Sequence, residues 1–242
     1  MVGMVANVEV PTEVTHNVAE IVLVRHGETT WNNAGRIQGS LESELNEAGW
    51  QQADAIAARL GKELKPAAVY NSDLKRAKNT AEMIAKTCHI PEVIEVPDLE
   101  ERHVGSLQGY YWSEIQEKEP EAYLAFFSSD KDLEIPGGGE SFNQLCERSV
   151  SALEEIASKH KVFSCTYVPT GERVIVVTHG GILRAIYMAV TGEASAGKIL
   201  NASINVVHLT EKKWVFKTWS DVSHLNKVGF LQRGFNGDAF QH

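Results

Sequence analysis

Two histidines occupy matching places in the chain, each closing a short apolar run and each followed by glycine. The first run is Ile21-Val22-Leu23-Val24-Arg25-His26-Gly27, and the second is Val174-Ile175-Val176-Val177-Thr178-His179-Gly180-Gly181. A neutral imidazole offers a nucleophilic nitrogen or a proton acceptor near neutral pH, so two of them at one crevice could serve group transfer. Arg25 precedes the first histidine, and Asn71-Ser72-Asp73-Leu74-Lys75-Arg76 puts a second arginine in the first turn of a helix. The planar guanidinium fork matches phosphate oxygens, so Arg25 and Arg76 together could clamp a phosphoryl group. Gly27 would let the backbone approach a ligand, and Glu28, Thr29, Asn32 and the Gln38-Gly39 pair add polar groups downstream. The run Leu99-Glu100-Glu101-Arg102-His103 supplies candidate acids. Taken singly, each motif reads more simply: Arg25 as a surface cation, Arg76 as a solvated helix residue, residues 99–109 as exposed loop charge. Their co-occurrence is what points to a site.

The elements that must position these residues follow from periodicity and breakers. Four consecutive apolar residues rich in Val and Ile predict a buried strand ending at Arg25, and 173–177 predicts another ending beside His179. In an open α/β sheet the carboxyl ends of such strands are where ligands bind. Helical spacing over 45–64 ends before Pro66, and 67–70 is a short strand. Asp73 is expected to cap a helix through Ala77, Ala81, Ile84 and Ala85, and 93–96 to form another strand closed by Pro97. Pro120 divides 112–127 into two short helices of a cap or insertion, and Pro136-Gly137-Gly138-Gly139 breaks the chain again. Ser141-Phe142-Asn143-Gln144 has the form of a capping box ahead of a helix through Ile156. A helix from Ile182 to Val190 abuts His179, and 204–209 and 214–219 form two antiparallel strands joined near Lys212. This alternation predicts an α/β three-layer sandwich: a mostly parallel central sheet, helices on both faces and one antiparallel edge strand. The expected division is an arm at 1–19, one domain at 20–225 with an insertion at about 110–137, and a tail at 226–242.

Composition narrows the function classes. A chain of 242 residues, 43% hydrophobic, can bury one sizeable core. The formal net charge of -9, without a Lys/Arg block, argues against a nucleic-acid or anionic-membrane surface, so any anion site must be local. No apolar run is long enough to cross a bilayer, and the beginning of the chain reads as neither a signal nor a transit peptide. Cys88, Cys146 and Cys165 show no metal-ligand spacing and fit reduced thiols of a cytoplasmic protein. Cys88 and Cys146 read as small buried hydrophobes. His103 and His224 read as structural, and no metal site is expected.

Read in order, the motifs resemble one family. Leu-Val-Arg25-His26-Gly-Glu-Thr-x-Trp-Asn32, Ser-Asp-Leu-x-Arg76-Ala-x-x-Thr80, Leu-x-Glu101-Arg-x-x-Gly-x-x-Gln-Gly, Gly-Gly-Glu140-Ser and Thr-His179-Gly-Gly are similar to those of the histidine phosphatase superfamily, the phosphoglycerate mutase-like proteins. The likeness extends over about residues 20 to 225. It implies that His26 is phosphorylated in line to a phosphohistidine, which splits one displacement into two easier ones. It implies that Arg25, Arg76 and His179 surround the phosphoryl oxygens without a metal, with help from backbone N–H groups near Gly180. It implies that Glu101 protonates the leaving alcohol and then activates water. Asn32, Gln38, Gly39 and Gly180 are the matching substrate-binding positions, and no cofactor is expected.

Mutases of the family hold a phosphoglycerate with extra cations and carry Gly-Asn after the second histidine. Here Val104 and Trp112 stand where mutases have Tyr and Lys, residues 112–137 contain no arginine, and Gly180-Gly181 follows His179. The expected activity is therefore hydrolysis of a small phosphorylated metabolite, phosphoserine-like or related. Mutase activity is the main alternative and a non-catalytic phospho-ligand binder the third. The aromatics Tyr110, Tyr111, Trp112, Tyr123, Phe126 and Phe127 either pack a core or face a ring-bearing substrate, and a homodimer is left open.

Overall fold

The computed structural model describes residues 19–63, 65–160, 172–209 and 213–231. The arm before Ala19, the link at 161–171 with Cys165, the turn at Lys212 and most of the tail lie outside the described residues. In chain order the elements are β1 (Ala19–Arg25), α1 (Thr30–Ala34), α2 (Glu47–Glu63), β2 (Ala68–Asn71), α3 (Lys75–Thr87), β3 (Ile94–Glu95), α4 (Ile115–Lys118), α5 (Pro120–Phe126), α6 (Phe142–Lys159), β4 (Arg173–Thr178), α7 (Gly180–Thr191), β5 (Ile204–Leu209) and β6 (Trp214–Asp221).

The strands form one sheet in the order β3-β2-β4-β1-β5-β6. β3, β2, β4 and β1 run parallel, and β5 runs against both β1 and β6, so the antiparallel pairing is confined to that edge. Successive side chains of a strand point to opposite faces, and the central strands are apolar at both parities because both faces are covered. Ile21 and Leu23 of β1 pack with Val174 and Val176 against Leu145, Leu153 and Ile156 of α6 and Ile182 and Ile186 of α7. Val22 and Val24 face the other way, with Ile175 and Val177, onto Ile56 and Leu60 of α2 and Ala77, Ala81 and Ile84 of α3. A third cluster of Ile37, Val104, Leu107, Ile115 and Ile135 underlies the insertion, where Pro120 opens α5 at its first position. Proline is tolerated there because that N–H has no partner within the helix.

Register carries the two histidines together. Arg25 pairs with Thr178 across β1 and β4, so the next residue on each strand is a histidine, and His26 N–H donates to Thr178 O at 3.0 Å. Beyond these strands the chain turns to opposite faces of the sheet, toward α2 from β1 and into α7 from β4. That reversal is the topological switch point at which α/β sheets open a crevice.

Three expectations change in detail. Asp73 does not cap α3; the N-cap is Leu74, whose N–H is taken by Ser72 Oγ at 3.3 Å. The strand at 93–96 contracts to Ile94 and Glu95, both exposed, at the sheet edge beyond β2. Cys88 and Cys146 are free and only partly buried, each packed at the margin of a core cluster.

Candidate active site

At the carboxyl ends of β1 and β4 a pocket is lined by Arg25, His26, Asn32, Gln38, Gly39, Arg76 and Glu101, all singled out from the sequence. His179 stands behind His26, their ring centroids 5.1 Å apart. Gly180 is the first residue of α7 and is buried. Backbone carbonyls and neighbouring side chains hold these residues in place. Arg25 donates from one terminal nitrogen to Ile199 O at 2.7 Å, and its buried Nε has no hydrogen-bond partner among the described residues. Arg76 is fully buried and donates to Gly39 O at 2.7 Å, Leu41 O at 2.8 Å and His179 Nδ1 at 3.3 Å. Asn32 folds back on Thr29 in a reciprocal capping box that begins α1, and the Thr29 hydroxyl also reaches Gln38 Oε1 at 3.0 Å.

Hydrogen bonding sets the protonation states. His26 Nδ1 lies 2.7 Å from Gly27 O. A carbonyl only accepts, so the ring proton is on Nδ1 and the lone pair is on Nε2. Burial, and then the charges of Arg76 and Arg25, push the His26 pKa well below the usual histidine value, which keeps that lone pair free at neutral pH. His179 takes the opposite tautomer. Arg76 can only donate, so His179 Nδ1 accepts, and its Nε2–H donates to Ser72 Oγ at 2.8 Å. Burial and the nearby arginines lower its pKa in the same way. Burial also brings Arg25 and Arg76 down to about 10, still fully charged at pH 7, with the Glu101 charge partly offsetting the fall.

Glu101 is held by two backbone N–H groups. Its Oε1 accepts from Arg102 N at 2.9 Å and its Oε2 from Gly181 N at 3.1 Å, in the first turn of α7. The second glycine after His179 leaves room for that carboxyl, since a Cβ at Gly181 would lie 2.2 Å from Glu101 Oε1 and the end of the Glu101 side chain would have to shift. Gly27 has a comparable reason that differs from the expected one. Its close approach is to the protein, because a Cβ there would lie 2.5 Å from Gly49 O in α2. Glu28 is likewise structural, its carboxylate accepting from Asn46 Nδ2 at 2.7 Å.

Several lining residues were not legible as such. Arg36 and Arg102 bring two further guanidiniums to the pocket, although the insertion itself contains no arginine. Arg36 lies over the Trp31 ring at 4.1 Å and donates to Gly109 O. Arg102 donates to Glu140 O at 3.0 and 3.3 Å. Tyr110, Trp112, Tyr123, Phe126 and Phe127 all pack on the insertion core, and Trp112 and Phe126 line the pocket as well. Asn201 carried no sequence signal, yet its amide donates to His26 O at 3.1 Å and Asn32 Oδ1 at 3.2 Å. His103 is structural, its Nδ1 accepting from Gly105 N at 3.2 Å.

Chemically, the pocket joins a neutral imidazole with a free Nε2, the carboxyl group of Glu101 and four arginines. The partners of those arginines are carbonyl oxygens and one ring nitrogen, contacts that orient a guanidinium without neutralising it. Such a site is set for an anionic group with several oxygens. Comparison with known proteins agrees. The chain is 71% identical to the metal-independent phosphoserine phosphatase of Arabidopsis thaliana, over 96% of this chain and 92% of that one. It is 51% identical to phosphoglycerate mutase-like protein 4 of the same plant, over 91% and 93% of the two chains. A mycobacterial glucosyl-3-phosphoglycerate phosphatase superposes with a TM-score of 0.73 at 30% identity, covering 84% of this chain and 99% of its own. The model of the histidine phosphatase superfamily, branch 1, matches residues 21–222, and the chain belongs to that family.

Proposed function

We propose that the protein is a cytoplasmic, metal-independent phosphatase that hydrolyses small phosphomonoesters, phosphoserine first among them, through a phosphohistidine at His26. The observation that carries this reading is the His26 tautomer: Nδ1–H is tied to Gly27 O, and Nε2 opens on a pocket of guanidiniums that are held but not neutralised. Nε2 attacks phosphorus in line and the ester P–O bond breaks. Arg25 and Arg76 take the charge on the equatorial oxygens, the work a metal ion does in other phosphoryl-transfer sites. Glu101, protonated, gives its proton to the departing serine oxygen, which leaves as the hydroxyl, then as a carboxylate takes one from water. That water attacks the phosphohistidine, the P–N bond breaks, and phosphate leaves with His26 neutral again. Arg36 and Arg102 offer a place for a carboxylate on the leaving group, which suits an amino-acid ester. The likeness to the Arabidopsis phosphoserine phosphatase supports the substrate, and Gly181 in place of a mutase-type asparagine supports hydrolysis.

The test is phosphate release from phosphoserine, 3-phosphoglycerate and other small phosphomonoesters in excess EDTA, with His26→Ala as the blank. Release from phosphoserine at undiminished rate in EDTA is expected, together with an acid-labile phosphate on the quenched wild-type chain that His26→Ala lacks. A rate restored only by added Mg²⁺, or label retained in His26→Ala, would refute the mechanism. Isomerisation of 3-phosphoglycerate without release would establish the mutase reading in its place.

A further inference from the structure

The Gly-Gly-Glu140-Ser motif belongs to no step above, yet Glu140 and Arg148 meet directly behind the segment that carries Glu101. Arg148 projects from α6, and its Nε and one terminal nitrogen grip the two Glu140 oxygens at 3.0 and 2.6 Å. The same guanidinium donates to three carbonyls of the neighbouring segment: Asp98 O at 2.8 Å, Glu100 O at 2.8 Å and Glu101 O at 3.4 Å. Glu140 completes the grip from the other side. Its Oε1 accepts from His103 N at 3.0 Å, its N–H donates to His103 O at 2.9 Å, and its carbonyl holds the Arg102 guanidinium. The pair is mostly buried, with 23% and 17% of the two side chains exposed. Every backbone group it binds lies within three residues of Glu101.

From this geometry we infer that Glu140 and Arg148 are positioning residues of the reaction, a clamp that fixes where the Glu101 carboxylate stands relative to the leaving oxygen. The inference rests on the reading of Glu101 as the proton donor. Loops without regular structure hold a side chain loosely unless their carbonyls are bound, and a displacement of about 1 Å at a reacting group costs on the order of a hundredfold in rate. A planar five-donor guanidinium can bind a carboxylate and several carbonyls together, which lysine cannot do.

A positioning role differs from a purely structural one in which substrates it affects. Phosphoserine has a poor leaving group that needs the Glu101 proton, whereas p-nitrophenyl phosphate barely needs it. The experiment measures kcat/KM for both substrates in wild type, Arg148→Met, Glu101→Gln and the double variant, with Arg148→Lys as a milder change should the methionine variant not fold. Arg148→Met is expected to lower the phosphoserine value about tenfold or more while p-nitrophenyl phosphate changes less than about threefold. In the Glu101→Gln background the same substitution is expected to leave the ratio of the two substrates unchanged, because the residue it acts through is gone. Equal losses on both substrates, or a further fall of the ratio in that background, would overturn the clamp. If Glu101→Gln alone left the ratio untouched, the reading of Glu101 itself would fall, and the clamp with it.

Discussion

At the scale of single residues, contacts only a few ångströms across separate hydrolysis from its neighbours in chemistry. Gly181 shows this most directly, since its N–H holds Glu101 and the space a Cβ would fill is already taken by Glu101 Oε1. Gly181→Ala is expected to displace the Glu101 carboxyl and lower kcat/KM for phosphoserine by about tenfold or more, with the value for p-nitrophenyl phosphate much less affected. Alanine favours helix over glycine by about 1 kcal/mol, so a lower rate in a folded variant would trace to the carboxylate and not to α7. Equal rates on both substrates relative to wild type would remove Gly181 from the account. His26, Arg25, Arg76 and His179 were legible in the sequence because each adjoins a strand end or a helix start with a strong local signature. Arg36, Arg102 and Asn201 were not. Arg36 had no pattern to distinguish it from a surface cation, Arg102 stood in the motif beside Glu101 without a role of its own, and Asn201 reaches His26 from a loop 175 positions away, a contact made by tertiary folding alone.

The elements were legible where a local rule had one outcome. Ser141 and Gln144 close a reciprocal capping box at the start of α6, as their spacing implied. Thr29 and Asn32 do the same for α1, but an asparagine at the third position is not the usual Glu or Gln, and the five-residue helix left no period to read. Asp73 does not cap because α3 begins one residue later: Leu74 is the N-cap, Ser72 Oγ takes the Leu74 N–H, and the Glu42 carboxylate takes the Lys75 N–H. The α6 cap is expected to matter for stability more than for chemistry. Ser141 is 3% exposed and accepts from Gln144 N at 3.2 Å, so Ser141→Ala should lower unfolding free energy by about 1 kcal/mol. Urea unfolding measures it directly, and an unchanged midpoint would mean that water serves the freed N–H groups equally well.

For the molecule as a whole, the governing fact is a cluster of positive charge buried inside a chain of net charge -9. Burial, with the arginines close by, keeps His26 and His179 neutral, and the same burial ties stability to pH. In the unfolded chain both rings titrate near their usual value of about 6.5. Their folded pKa values lie well below that, so below pH 6.5 the unfolded state binds protons that the folded state refuses, and stability falls as pH falls. The stability is present above the unfolded pKa and is lost on descending from it. The loss approaches about 1.4 kcal/mol per pH unit for each ring, which gives about 2–3 kcal/mol for the pair between pH 7.5 and 5.5. For a domain of this size that corresponds to a fall in Tm of about 5–10 °C. Thermal unfolding should be followed in phosphate-free buffer, because an anion bound among the arginines would add its own stabilisation. The double variant His26→Asn, His179→Gln removes these two groups and is expected to reduce the dependence over this window to the smaller one left by His224, which burial and Arg59 bring down to about 4. If that variant kept the full slope of the wild type, the two histidines would not be the neutral buried groups on which nucleophilic attack by His26 depends.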